Sequence, residues 1–173
     1  MGTSSDIQVV DTGGGHDVGK YASLALDSAG LPRIAYYDYS HWHLRYAARN
    51  GSTWAVQRVT PGGTLGPGGT YAALALDSQD DPHIVYCDWY DTSSLMYTSW
   101  DGAAWTFETV DADIYNLTAT SLKFDDRDNP YIAYAAYDSQ AYSVLRMAWI
   151  PEPATLALVA VGAVALLRHW RRA

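Results

Sequence analysis

One block of sequence recurs three times, and a chain that repeats at such a period must build its core by stacking copies of a small unit. The copies run from Ser23 to Asp38, from Ala73 to Asp88 and from Ser121 to Ala136, and Pro32, Pro82 and Pro130 mark their register at spacings of 50 and 48 residues. Leu24 and Leu26 alternate as in a half-buried strand, residues 27–32 carry turn formers, and Arg33 to Tyr37 is apolar on both faces. The last pattern is expected of a strand held between neighbouring sheets. Two further strands per unit, His43 to Ala48 with Trp54 to Val59 and Leu95 to Ser99 with Trp105 to Val110, meet across Asn50-Gly51 and Asp101-Gly102. Asn-Gly and Asp-Gly reach positive φ easily and close tight hairpins. Each unit therefore reads as four antiparallel strands, over about residues 21–60, 71–110 and 119–149.

Tyr and Trp number 14 and 7 against two Phe, which with 14 Gly favours strands and turns, so the fold class is all-β. The repeats resemble the blades of bacterial surface β-propellers, with a Leu-Asp-Ser-x-Gly-x-Pro-x-Ile-x-Tyr pattern in the style of sialidase-like propellers. That resemblance implies three four-stranded blades within a domain spanning residues 1–150. The third repeat enters Pro151 without a fourth strand, whereas Ile7-Gln8-Val9-Val10 aligns with Val56-Gln57-Arg58-Val59 and reads as a closing strand. Three blades fall below the usual range of about four to eight. The ring is expected to be incomplete, either because upstream blades are missing or because two chains exchange their Ile7 to Val10 strands as a homodimer. Met1 to Asp6 has no apolar run of a signal peptide, which favours the missing-sequence account.

The segment from residue 151 to 173 differs in kind. Pro151, Glu152 and Pro153 precede an uncharged run, 154–167, which ends at Arg168, Arg171 and Arg172. Proline disfavours helix before residue 154, and the Ala, Leu and Val that follow give a helix apolar all round, which reads as a transmembrane helix. At about 1.5 Å per residue it is shorter than the ~20 residues that usually span a bilayer. The arginines place its end on the cytoplasmic side. The order of motif, apolar run and basic stop resembles the PEP-CTERM sorting signal of exported proteins in Gram-negative bacteria. That resemblance implies recognition at Pro151, Glu152 and Pro153 by an exosortase, an inner-membrane anchor before processing, and delivery to the cell surface or extracellular matrix.

Of 19 acidic and 11 basic residues, only one Glu but three Arg lie beyond Ile150, so the domain is more acidic than the whole-chain charge of −8. Without a basic patch it has nothing to neutralise phosphates, and nucleic acid is excluded as a partner. Cys87 is the only cysteine, so neither an internal disulfide nor a paired-cysteine zinc site can form.

The longer connections between strands carry Tyr39, Trp42, Trp89, Tyr90, Tyr137 and Tyr142 among Asp and Ser residues. Aromatic faces stack on sugar rings while hydroxyls and carboxylates bond their hydroxyl groups, which makes these six the candidate ligand-binding residues. The competing reading packs them between blades. Asp125, Asp126 and Asp128 suit calcium but also suit the turn they occupy, and His41 and His43 lack a third ligand, so neither metal nor cofactor is assigned. A glycosidase needs two carboxylates of separated pKa, and Glu108 is the only Glu before the tail. The chain is expected to be a non-catalytic binding or structural protein of an envelope rich in extracellular polysaccharide. The alternative is a fragment of a sialidase-like carbohydrate-active enzyme.

Expressed behind a signal peptide, the chain should be protease-accessible from outside and fractionate with the membrane. Deleting residues 151–173 should release it, and a truncated form that stays membrane-bound would show that the tail is not the anchor.

Overall fold

A computed structural model describes residues 6–60, 68–89, 93–137 and 142–150, and every regular element among them is a β-strand. The strands are β1 (Val18–Leu26), β2 (Pro32–Asp38), β3 (His43–Asn50), β4 (Thr53–Arg58), β5 (Gly68–Leu76), β6 (Pro82–Asp88), β7 (Ser93–Trp100), β8 (Trp105–Phe124), β9 (Pro130–Tyr137) and β10 (Ser143–Trp149). Strands β1 to β4 form one antiparallel sheet in sequence order, and β5 to β10 continue as six neighbours. The long strand β8 serves two units: Trp105 to Asp111 pairs with β7, and Ala119 to Phe124 pairs with β9. Sequence patterning places separate strands at these two stretches, and the structure joins them through a bulge at Asn116, whose φ is +48°.

Each unit is pinned at the turn between its first two strands by one aspartate. Asp27 Oδ1 accepts the N–H groups of Ala29 and Leu31, Asp77 Oδ1 those of Gln79 and Asp81, and Asp125 Oδ1 those of Arg127 and Asn129. A short side-chain acceptor folded onto its own turn is what Asp does best. The fourth residue of each turn takes positive φ, at Gly30, Asp80 and Asp128. These last two carboxylates point at the preceding unit. Ser28 donates its N–H and hydroxyl to Asp80 at 2.8 and 2.5 Å, and Ser78 does the same to Asp128 at 2.9 and 2.6 Å. The same bond thus joins unit one to unit two and unit two to unit three.

Between these clasps the units pack face to face. Ala35, Leu44 and Tyr46 of the first bury against Leu74, Ile84 and Tyr86 of the second. Val85, Cys87, Leu95 and Tyr97 of the second bury against Leu122, Ile132 and Tyr134 of the third. A unit so thin has no interior of its own, and its apolar side chains leave water only by meeting the next unit. Gly69 shows how tight the first junction is, since a Cβ there would lie 2.9 Å from the Leu44 backbone.

The three units do not close on one another among the described residues. Residues 7–10 form no closing strand with β10: Gln8 accepts a bond from Arg49, and Asp11 is held by Tyr36 at 2.6 Å and Arg45 at 3.3 Å. These anchors lay the segment against the first unit, away from the edge it was expected to complete. The apolar run 154–167 lies outside the described residues.

Burial and the Asp77 carboxylate act in opposite directions on His83, which lies between Asp77 Oδ2 at 3.2 Å and the Tyr97 hydroxyl at 2.5 Å. Burial dominates and lowers its pKa, so the folded state holds the ring neutral. A depressed histidine contributes stability that is present above its unfolded value of about 6.5 and lost as pH falls through the folded value. The turn carboxylates titrate lower: bonds from the Leu31 N–H to Asp27 and from Asn129 to Asp125 hold both below the ordinary range. Urea midpoints should therefore decline as pH drops below about 6.5 and fall more steeply below about 4. His83→Gln should shrink the first phase, leaving the part owed to His43, which burial and Arg58 also depress. A midpoint unchanged between pH 7 and 5 would refute the assignment.

Candidate functional site

At the end of the sheets opposite the aspartate turns, the first and second units leave a cavity of about 280 Å³ lined by Lys20, Tyr21, Tyr37, Tyr39, Thr70, Tyr71 and Trp89. Two bulges build it. In β1 and β5 the pairing register slips between Lys20 and Ser23 and between Thr70 and Ala73. An extra residue at a bulge re-aims its side chain, and Tyr21 and Tyr71 both take φ +53° there. Their rings come together at 4.7 Å with a 46° tilt. Tyr37, near the end of β2, lies 6.2 Å from Tyr21, and Tyr39 meets Tyr37 edge-on at 6.3 Å.

Polar groups hold the rim. Lys20 Nζ sits 3.6 Å over the Tyr39 ring and 2.9 Å from Asp17, and the bond to Asp17 raises its pKa. The loop is stapled by Tyr39 N–H donating to the Asp17 carbonyl and Asp17 N–H donating to the Ser40 hydroxyl. On the far side, the Trp89 indole N–H donates to Thr70 Oγ1 at 2.8 Å. Burial, then the neighbouring Tyr39 and Tyr21, push the Tyr37 phenol up to about 12, so it remains a hydrogen-bond donor at neutral pH. The lining thus combines aromatic faces, hydroxyl groups and one ammonium.

The arrangement is not repeated. By the offsets of 50 and 48 residues, Tyr37 corresponds to Cys87 and Ala135, and Tyr71 to Ala119, so the second junction lacks two of these tyrosines while Tyr71, Trp89 and Tyr137 stand at the places of Tyr21, Tyr39 and Trp89. Cys87 is buried there, with burial pushing its thiol up to about 12.

Of the six aromatic candidates from the sequence, Tyr39 and Trp89 line this cavity. Trp42 lies exposed at the β2–β3 connection with φ +59°. Tyr137 ends β9 opposite Tyr115 and Ser143, and Tyr142 lies exposed before β10. Tyr90 lies outside the described residues, as do Pro151, Glu152, Pro153, Arg168, Arg171 and Arg172. Sequence reasoning passed over Tyr21, Tyr37 and Tyr71. The repeated Gly-x-Tyr at 19–21 and 69–71 was the available signal, because a bulge glycine announces a re-aimed neighbour.

The acidic and histidine motifs have other work. Asp125 spends its oxygens on the turn and on Asn129, and Asp128 on Ser78. Buried Asp38 binds Arg45 at 2.7 Å and His41 at 3.0 Å, while His43 stacks beside His41. Among the described residues no group of three or more His, Cys, Asp or Glu is placed to hold a metal ion. Glu108 stands on β8 opposite Tyr97.

The native thiol should resist alkylation at neutral pH, being fully buried and protonated. Mass spectrometry should find Cys87 unlabelled by iodoacetamide in the folded chain and fully labelled in urea. Fast native labelling would contradict the burial.

Residues 150–172 match the PEP-CTERM protein-sorting motif. That signal belongs to exported proteins processed by an exosortase, and it carries a C-terminal membrane anchor before processing. No curated protein matches the chain. Among solved structures, a fucose lectin from Kordia zhangzhouensis in complex with methyl-fucoside is similar with a TM-score of 0.54 and 16% identity, covering 76% of this chain and 97% of that one.

Proposed function

We propose that this chain is a surface-sorted, non-catalytic sugar-binding protein of propeller type, which holds extracellular polysaccharide through the cavity between its first two repeats. The observation that carries the reading is the aromatic lining itself. Tyr21, Tyr37, Tyr39, Tyr71 and Trp89 supply flat apolar faces for the C–H groups of a pyranose. Lys20, Thr70 and the phenol hydroxyls stand at the edge where ring hydroxyls would emerge. The described lining residues include no carboxylate, while glycoside hydrolysis needs two, which supports binding without turnover.

The lectin with the similar fold was solved with methyl-fucoside, which makes that sugar the first probe. The sorting tail supports an extracellular place of action, where polysaccharide is at hand. Exosortase processing at Pro151, Glu152 and Pro153 would follow export, with the arginines at 168, 171 and 172 retaining the tail until then.

Isothermal titration calorimetry with methyl-fucoside and a panel of monosaccharides should find one saturable site. Trp89→Ala and Tyr71→Ala should each weaken it about tenfold, since an aromatic pair is worth ~0.5–1.5 kcal/mol beyond its buried area. Trp42→Ala should leave it unchanged. Absence of saturable heat with every sugar would sink the proposal, and release of nitrophenol from chromogenic glycosides would favour the enzyme reading.

A further inference from the structure

The two outer faces of the stack are the two halves of the junction that the chain builds internally. Leu24, Leu74 and Leu122 are the same position in the three repeats, and their exposures are 61%, 7% and 3%. Strand pairing identifies a second set: Leu44, Leu95 and Leu145 oppose Tyr37, Cys87 and Ala135. Here the first two are fully buried and Leu145 is 81% exposed. Its neighbour Met147, which takes the place of buried Tyr46 and Tyr97, is also exposed. The first unit thus shows water the face that units two and three press onto their predecessors. The third shows the face that units one and two press onto their successors.

We infer that the face carrying Leu24 and Leu26 docks on the face carrying Leu145 and Met147 of a second copy of this chain. The partner is specified by the junctions already present, because Leu44 packs with Leu74, and Leu95 with Leu122, in the two buried clusters. Gly19 fits the same scheme. Its equivalent Gly69 is pressed against Leu44, whereas a Cβ on Gly19 would meet nothing within 4 Å. The vacancy is where Leu145 of the next copy would lie.

Such a contact is head-to-tail, and head-to-tail contacts either close into rings or run on as filaments. On the propeller reading proposed above, the six units of two such chains fall within the usual range of about four to eight blades, so a pair can close. A cyclic pair also keeps all strand directions alike about its axis. Both chains then leave at Ile150 on the same side, as two anchors in one membrane require.

The clasp distinguishes this third junction from the internal two. Asp126 occupies the place of Ser28 and Ser78, and Gly30 the place of Asp80 and Asp128. The hydroxyl–carboxylate bond is therefore absent across the contact, and so is any carboxylate pair. Association should be weaker than the internal packing and should respond to these two positions in a signed way.

Sedimentation equilibrium of the full chain in density-matched detergent tests it. The parent should reach the mass of two chains. Gly30→Asp sets a second carboxylate against Asp126 and should raise the dissociation constant at least about tenfold, since like charges across an interface repel. Adding Asp126→Ser to Gly30→Asp should recover the parental value or better by completing the clasp. Aspartate is tolerated at this φ, as Asp80 and Asp128 show at +66° and +60°. Leu145→Arg should also weaken the pair about tenfold without unfolding the chain, as circular dichroism would verify, because the residue is exposed within one copy. A single-chain mass up to 0.1 mM would overturn the inference. So would a dimer indifferent to Gly30 and Leu145, which would point to the tails, or a mass of three or more chains.

Discussion

The rest of the structure depends on a carboxylate turned back onto its own hairpin. In each unit one aspartate, Asp27, Asp77 or Asp125, accepts two backbone N–H groups that a sharp turn would otherwise strand, and so fixes the turn. The fixed turn places a left-handed residue, and where that residue is aspartate it reaches the serine of the unit before. Local turn chemistry thereby sets the spacing between sheets. That spacing brings Leu44 over Gly69 and aligns the two tyrosine bulges across the junction.

Repetition explains why the aromatic cavity is legible as a special site. A position that matters only for stacking should hold similar residues in every unit, as Leu74 and Leu122 do. Two of the cavity positions diverge instead. Where Tyr37 and Tyr71 stand in the first junction, the second carries buried Cys87 and exposed Ala119. The second junction therefore packs without a tyrosine at the Tyr37 position.

The all-β class and the antiparallel units were legible because proline and aspartate punctuate the chain at fixed intervals and the hairpins fall at Asn50-Gly51 and Asp101-Gly102. Continuity of β8 was not legible. Residues 111–118 alternate in two halves whose phase breaks between Ile114 and Tyr115, since the strand changes partners there and each half answers to a different neighbour. The fate of Ile7 to Val10 was hidden for another reason. Its pattern matches a fourth strand, yet Asp11 is drawn to Tyr36 and Arg45, a tertiary attraction that no local pattern reports. Tyr21, Tyr37 and Tyr71 sit inside strands, where periodicity reads them as core, and positive φ re-aims Tyr21 and Tyr71.

Strand direction settles how the cavity stands relative to the anchor. Strand β2 runs from the aspartate turn at Pro32 toward Tyr37 and the cavity, and β9, its counterpart, runs from Pro130 to Tyr137 the same way. Strand β10 pairs with β9 antiparallel, with Trp149 opposite Tyr131, and the Ile150 N–H donates to the Pro130 carbonyl. The chain therefore enters its sorting motif at the turn end of the sheets. At about 3.3 Å per residue, a strand of seven or eight residues separates that end from the cavity by more than 20 Å. The aromatic cavity therefore lies at the end of the sheets opposite the point where the chain passes into residues 151–173.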